Sequence, residues 1–168
     1  METRFYQFNQ NNSGGSFDSD SKLCHRIIIE ATSEKEAERK AEELGCYFNG
    51  VESGNDCPCC GDRWGSADEI DFEKINSRWG GLEVYVYPKP KDGNQEISKM
   101  KKKYPSSKWI EGPKLINFHG TPKVSGKILI QNIEEYAQIY ANQWGGWTSP
   151  EVRIFYNDGS VKEIFEKK

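Results

Sequence analysis

The sequence has little of what membrane insertion and export depend on. None of its 168 residues lies in a run that approaches the ~18 apolar residues of a membrane span. Its opening letters, METRFYQFNQ, lack a basic leader followed by an apolar run. We therefore expect a soluble protein of the cytoplasm, without a membrane partner. In that reducing compartment its 5 cysteines are free thiols or metal ligands before they are disulfides.

Motifs of catalysis are also scarce. The chain has neither a phosphate-binding loop nor a dinucleotide fingerprint, and its acidic residues between 62 and 73 form no spaced pair of acid and base. Its 2 histidines are His25 and His119, and their spacing from the cysteines marks neither as the partner of a nucleophilic thiol. These absences favour a protein that binds over one that catalyses.

The hydrophobic pattern predicts an α+β fold with a mostly antiparallel sheet and two helices. Alternation and turn residues predict strands at 4–8, 23–31, 46–51, 82–88, 114–118 and 123–130, and a hairpin at 151–165 that turns at 157–159. In the second of these strands, alternation places His25 on the apolar face with Leu23, Ile27 and Ile29.

Two capping patterns predict the helices. Ser33 followed by Glu36 begins the first, which Gly45 ends, and Asn132 with Glu135 begins the second. Ala37 and Ala41 give the first helix a narrow apolar face that lets it lie close to a sheet.

Composition divides the chain into three segments. We predict a zinc-stabilised α+β domain at 1–88, a Lys- and Pro-rich linker or excursion at 89–113, and a β-β-α-β-hairpin unit at 114–168, which is either a second domain or part of the first. The lysines between 89 and 108 are accompanied by few aromatic residues, and the net charge of the chain is −3. A solvated segment is therefore expected there, and a nucleic-acid partner is not.

Three of the cysteines fall within the stretch DCPCCGDRWG, at 56–65. Cys57 and Cys60 form a C-P-x-C-G pattern, in which a C-x-x-C turn brings two thiolates to one ion and the following glycine permits a positive backbone angle. The pattern predicts a zinc-knuckle loop in the N-terminal half of the chain, with the zinc in a structural role.

A structural zinc needs two further ligands. We rank His25 next, because it points inward from its strand, and then Cys59, with Cys24 and Cys46 behind them. Free or redox-active thiols are an alternative reading of the cluster, as is covalent catalysis, although no helical period follows the motif to lower a thiol pKa. For Cys46 a small buried hydrophobe is the better interpretation.

A second candidate site lies in the polar segment 9–21. Asn9, Asn11, Asn12 and Ser13 offer uncharged donors and acceptors before a Gly-Gly pair, a composition that suits bases, sugars or phosphates and also a mobile hairpin loop. Tryptophans recur beside glycines, as stacking platforms or as core residues. We predict that Arg63 and Trp64 bind the ligand together with the amide residues.

The stretches FYQFNQNNSGGSF (5–17), CHRIIIEA (24–31) and YFNGVESGNDCPCCGDRW (47–64) resemble a family of small uncharacterised proteins of tailed bacteriophages and their prophages. The segment 132–164 is similar to the C-terminal part of some members. The resemblance carries no activity with it. It implies an accessory protein made in the bacterial host cytoplasm, in a class rich in host-takeover and anti-defence factors that act by binding.

Three functions fit the sequence. The first is a zinc-stabilised, non-enzymatic binding protein that sequesters a small nucleotide-like ligand or a host protein. The second is a metal-dependent nucleotide or nucleic-acid hydrolase with an open zinc site. The third is a protein–protein adaptor, since residues 1–84 carry 9 basic against 17 acidic side chains and residues 85–168 carry 14 against 9. We expect the first of the three.

Overall fold

The computed structural model describes residues 1–11, 17–79, 82–86, 108–116, 122–143 and 151–165. The strands are β1 (Arg4–Asn9), β2 (Arg26–Ala31), β3 (Asp68–Glu69), β4 (Leu82–Val86), β5 (Lys108–Ile116), β6 (Pro122–Leu129), β7 (Val152–Phe155) and β8 (Val161–Ile164). The helices are α1 (Glu34–Leu44), α2 (Phe72–Trp79) and α3 (Ile133–Gln143). The predicted α+β class is confirmed, with three helices in the described residues where two were predicted.

The chain forms two compact units, one made of residues 1–70 with 137–168 and the other of residues 71–136. The predicted segments 1–88, 89–113 and 114–168 stay a prediction. No helix in the described ranges combines the length and the apolar character that crossing a membrane requires.

The first unit contains a five-stranded sheet in the order β3-β1-β2-β7-β8. The β2–β7 pair is parallel and the other pairs are antiparallel, so the sheet is mixed but mostly antiparallel. Ile27, Ile28 and Ile29 are all buried, because β2 is a central strand that is covered on both faces. The predicted strand at 23–31 begins only at Arg26, which leaves His25 just before it.

Helix α1 packs on β2 and forms as predicted. The Ser33 hydroxyl accepts a hydrogen bond from the Glu36 backbone N–H at 3.1 Å, while the Glu36 carboxylate accepts one from the backbone N–H of Thr32 at 2.7 Å. The capping box therefore closes one residue earlier than its usual form. Gly45 ends the helix with a φ of 113°, and fully buried Ala37 and Ala41 join the core.

The predicted strand at 46–51 is wrong. Residues 46–56 form turns, in which the backbone N–H groups of Asn55 and Asp56 both donate to the Gly50 carbonyl, at 2.8 and 2.9 Å. Tyr47 and Phe48, which lie in the predicted strand, pack against the core of the first unit from this irregular segment. Burial of large rings, and not strand pairing, explains the pattern.

The β7–β8 hairpin of the first unit is confirmed. Gly159 has a φ of 90° in its turn, and the Tyr156 N–H donates to the Ser160 carbonyl at 2.9 Å. The Arg153 guanidinium from β7 is buried and donates to the carbonyls of Asp20 and Leu23, at 2.6 and 2.9 Å. The hairpin is thus fixed to the N-terminal segment by side-chain as well as backbone bonds.

The second unit contains a three-stranded antiparallel sheet in the order β4-β6-β5. Strand β5 begins at Lys108, within the segment predicted as a linker, and residues 89–107 lie outside the described part. The β5–β6 register shifts between Glu111 and Lys114, where Pro113 has no N–H to donate to the ladder. The sequence pattern did not predict α2, because 61–80 has no clear period.

We predict that Ala41→Leu lowers the free energy of unfolding by about 1–3 kcal/mol, because α1 lies against the sheet through fully buried alanines and has no room for a larger side chain. Glu42→Leu, at the next and exposed position, is the matched control and should change it by less than about 0.5 kcal/mol. Urea unfolding measures both. Equal effects of the two substitutions would contradict the close packing of α1.

Candidate metal centre

The cysteine cluster lies on a tight turn that follows the irregular segment 46–56. The backbone N–H groups of Cys60 and Gly61 both donate to the Cys57 carbonyl at 3.1 Å. Gly61 has a φ of 85°, as the C-P-x-C-G pattern predicts, since this angle is rarely adopted by other residues. The turn therefore folds the chain back on itself and brings the three cysteine side chains to one side.

The three sulfur atoms lie close together at the surface. The Sγ–Sγ distance is 2.7 Å between Cys57 and Cys59 and 3.7 Å between Cys59 and Cys60, and all three atoms lie within 4.8 Å of one another. Thiolates about 2.3 Å from one tetrahedral ion are ~3.7 Å apart. The Cys59–Cys60 distance therefore fits shared ligation, and the exposed Cys57 side chain must swing away from Cys59 by about 1 Å.

The pKa values of Cys57 and Cys59 are shifted in opposite directions. The hydrogen bond with Cys59 lowers the pKa of Cys57 below its usual value. The bonds to Cys57 and Cys60, together with their charges, raise the pKa of Cys59 to about 11. The arrangement thus favours a Cys57 thiolate that accepts a hydrogen bond from the Cys59 S–H group, and a divalent cation would stabilise further thiolates.

His25 lies outside this group. Its Nδ1 is 3.0 Å from a carboxylate oxygen of buried Glu151, and its ring contacts the Phe17 ring edge-on at a centroid distance of 4.1 Å. Burial lowers the pKa of His25. The strand alternation that pointed it inward does not apply to it, because β2 begins one residue later.

Cys24 and Cys46 are also outside the group. Both are buried in the core of the first unit, and their burial raises the pKa of Cys24 to about 11 and that of Cys46 to about 12. A protonated thiol in an apolar setting is a weak ligand and a weak nucleophile. The interpretation of Cys46 as a small buried hydrophobe fits this position.

A buried carboxylate supports the cysteine turn from behind. Asp56, directly before Cys57, is 6% exposed and accepts hydrogen bonds from the Tyr47 hydroxyl at 2.7 Å and the Arg63 backbone N–H at 2.8 Å. Gly50 makes room for it, since a Cβ there would lie 1.8 Å from the Asp56 carboxylate. No motif or period in the sequence singles out Asp56, so its role emerges only from the folded structure.

The Arg63 side chain takes part in the same hydrogen-bonded network as Asp56 and Tyr47. Its Nε donates to the Tyr47 hydroxyl at 3.1 Å, its Nη1 donates to Gln10 at 3.3 Å, and its Nε lies 3.4 Å from the Asp18 carboxylate. Only 12% of the side chain is exposed. The guanidinium predicted to bind a ligand is therefore engaged within the protein.

The amide residues that the structure describes hold the cysteine turn to the end of β1. The Asn11 amide donates to the Cys60 carbonyl at 2.6 Å, and its backbone N–H donates to the Arg63 carbonyl, also at 2.6 Å. The Asn9 carbonyl accepts from Gly65 at 3.2 Å, and Trp64 is 1% exposed in the core. The predicted ligand residues Asn12 and Ser13 lie outside the described part.

An α+β fold whose surface turn gathers three thiols over a hydrogen-bonded support defines a protein with a possible cysteine-based metal site. The chain belongs to the family of the domain of unknown function DUF7296, whose model matches residues 3–103. That match contains the cysteine turn, Asp56 and Arg63. Comparisons with curated proteins and with solved structures give no match.

We predict that Gly50→Ala lowers the free energy of unfolding by at least about 1–3 kcal/mol, since its Cβ would overlap the Asp56 carboxylate and the Tyr47 ring. Gly65→Ala is the matched control, because a Cβ there would meet nothing nearer than the Asn9 carbonyl at 4.0 Å. Urea unfolding of both variants gives the comparison. If Gly50→Ala unfolds at the same urea concentration as the wild type, the hydrogen-bonded arrangement around Asp56 is not formed.

We also predict that three of the five cysteines react rapidly with an aromatic disulfide reagent in the native, metal-free protein. Cys24 and Cys46 should react only on unfolding, because both are buried and exchange requires access to the sulfur. Absorbance of the released thiolate counts the reactive groups before and after denaturant is added. Rapid native reaction of all five would contradict the burial of these two residues.

Proposed function

We propose that the protein is a non-enzymatic, zinc-stabilised binding protein in which Cys57, Cys59 and Cys60 hold the ion. The observation that carries the proposal is the grouping of their three Sγ atoms within 4.8 Å. Thiolate sulfur is a soft donor that suits zinc. Zinc bound by such a loop contributes directly to folding stability.

The surroundings of the turn support a structural rather than a catalytic ion. A hydrolytic zinc works with a general base, whereas the Asp56 carboxylate behind the turn is occupied by two donors and Arg63 is bonded to Tyr47 and Gln10. In this proposal a group from a bound partner takes the fourth position, which gives the ion the closed set of ligands that a structural zinc requires. His25 is not part of the proposed ligand set, since the ligand atoms that lie within 4.8 Å of one another belong to the three cysteines and do not include a nitrogen of His25.

A protein partner fits the described surface better than a small nucleotide-like ligand. Trp64 is in the core and Arg63 is turned inward, so the stacking and anion-binding groups of the predicted ligand site are used for folding. The residues of segment 52–60 are exposed, apart from buried Asp56, whose hydrogen bonds hold the cysteine turn in place. A zinc-fixed loop of this kind can present one rigid shape to a partner, which lowers the entropy that binding costs.

The resemblance of 5–17, 24–31 and 47–64 to tailed-phage and prophage proteins gives the proposal its setting. In that setting the partner is a protein of the bacterial host, met in the host cytoplasm, and the outcome is host takeover or the blocking of a defence system. The support for this setting is the likeness of sequence.

We predict that protein purified from zinc-containing medium carries about one zinc per chain, and that Cys57→Ser, Cys59→Ser or Cys60→Ser each lowers this to below about one tenth. Each substitution removes one of three clustered thiolates. Elemental analysis with native mass spectrometry measures the content. The metal-bearing protein should also unfold at a higher temperature than its chelated form.

Cys46→Ala is the matched control, because it removes a cysteine from the core and leaves the turn intact. It should keep the zinc even where it lowers stability. Zinc retained by all three serine variants would contradict the proposed ligands. Retention of an added nucleotide in the native mass spectrum, together with a raised melting temperature, would favour the nucleotide-like ligand over the protein partner.

A further inference from the structure

Two of the three thiols lie closer together than shared metal ligation requires. The Cys57 and Cys59 sulfur atoms are 2.7 Å apart, whereas ligands of one tetrahedral zinc are ~3.7 Å apart and the atoms of a disulfide are ~2.05 Å apart. The Cys57–Cys59 distance lies between these values, about 1 Å below the first and less than that above the second. The Cys59–Cys60 distance, 3.7 Å, matches the first value alone.

The local chain geometry also favours the first pair. Pro58 fixes φ between Cys57 and Cys59, and the hydrogen bonds from Cys60 and Gly61 to the Cys57 carbonyl hold the turn closed. A disulfide between the adjacent Cys59 and Cys60 would strain the peptide bond that joins them. Both sulfur atoms of the first pair are exposed, so a small oxidant can reach either one.

We propose that Cys57 and Cys59 form a reversible disulfide, so that the turn alternates between a reduced form that holds the metal and an oxidised form that does not. The chemical class of the oxidant is a low-molecular-weight disulfide, for which oxidised glutathione is the probe. The disulfide itself stands on the geometry of the turn, while the loss of the metal rests on the function proposed above.

The reaction is two successive thiol–disulfide exchanges. The Cys57 thiolate attacks one sulfur of the oxidant, the oxidant's S–S bond breaks, and one glutathione thiolate leaves. The Cys59 thiolate then attacks the Cys57 sulfur of this mixed disulfide and expels the second glutathione thiolate. The two cysteines are oxidised by two electrons, the oxidant is reduced by the same two, and the released thiolates take up the two cysteine protons.

Metal release follows from the number of ligands that remain. The disulfide removes two of the three thiolates of the group, so Cys60 is left as its one thiolate, and a single thiolate does not hold a structural zinc. Cys24 and Cys46 do not compete in this reaction, because both are buried in the core and exchange requires access to the sulfur. Reduction of the disulfide restores the three ligands.

The test starts from the reduced, metal-free full chain treated with oxidised glutathione under native conditions. Wild-type protein should lose two hydrogens from its intact mass and carry no glutathione, and peptide mapping should place the bond between Cys57 and Cys59. Cys59→Ser should instead keep glutathione on Cys57. Cys60→Ser is the matched control and should form the disulfide like the wild type.

Three results would overturn the disulfide. They are loss of two hydrogens in Cys59→Ser, failure of Cys60→Ser to form the bond, and glutathione adducts alone in the wild type. Both mutated positions are exposed, so we expect each variant to fold like the wild type. Far-ultraviolet circular dichroism of each variant verifies this.

A second arm tests the release of metal, with zinc-loaded protein, the same oxidant and a chromogenic zinc chelator. Zinc should appear in step with the disulfide, one equivalent for each bond, and a thiol reductant should allow reloading. Zinc that stays bound after the disulfide has formed overturns the switch. Reduced protein that never binds zinc overturns the proposed function and the switch with it, and a Cys57–Cys59 disulfide formed in that protein still supports the oxidation site.

Discussion

The candidate site depends on the hydrogen bonds that the Asp56 carboxylate accepts. This carboxylate is buried at the start of the cysteine turn, and its two oxygens accept from the Tyr47 hydroxyl and the Arg63 backbone N–H. These donors lie on opposite sides of the turn in sequence, so one side chain fixes both ends of the segment 47–63. A buried polar group left without its partner costs about 1–3 kcal/mol, which makes the three groups dependent on one another.

Neighbouring residues in the segment 47–63 have different roles, since some side chains hold the turn and others remain exposed. The polar side chains at 47, 56 and 63 are turned inward and bonded to one another, and the Asn11 amide holds the Cys60 carbonyl from the end of β1. The sulfur atoms of the turn remain exposed. The carbonyls and amides beneath them are held in place, so side-chain rotation can move the sulfur atoms while the backbone of the turn stays fixed.

Local signals in the sequence predicted local structure well. The caps at Ser33 and Asn132, the turn at 157–159 and the grouping of Cys57 with Cys60 depend on residues within a few positions of one another.

The errors arose where distant residues decide the outcome. Tyr47 and Phe48 lie in a segment predicted as a strand, yet they pack on the core from a loop. His25 faces Glu151, which is 126 positions away, and no pattern reports such a contact. The support by Asp56 likewise depends on the cleared space at Gly50.

The parallel pairing of β2 with β7 has a consequence for the boundaries of the domain. The family match ends at residue 103, whereas the strand that covers one edge of β2 spans Val152–Phe155. A fragment cut at the end of the match would contain every cysteine and the whole support of the turn, but it would expose the backbone N–H and C=O groups along that edge of β2. Open edges of this kind recruit other chains. The last hairpin therefore belongs to the same folding unit as the cysteine-bearing half, because its strand β7 occupies the edge of β2 at which copies of the fragment would be free to pair.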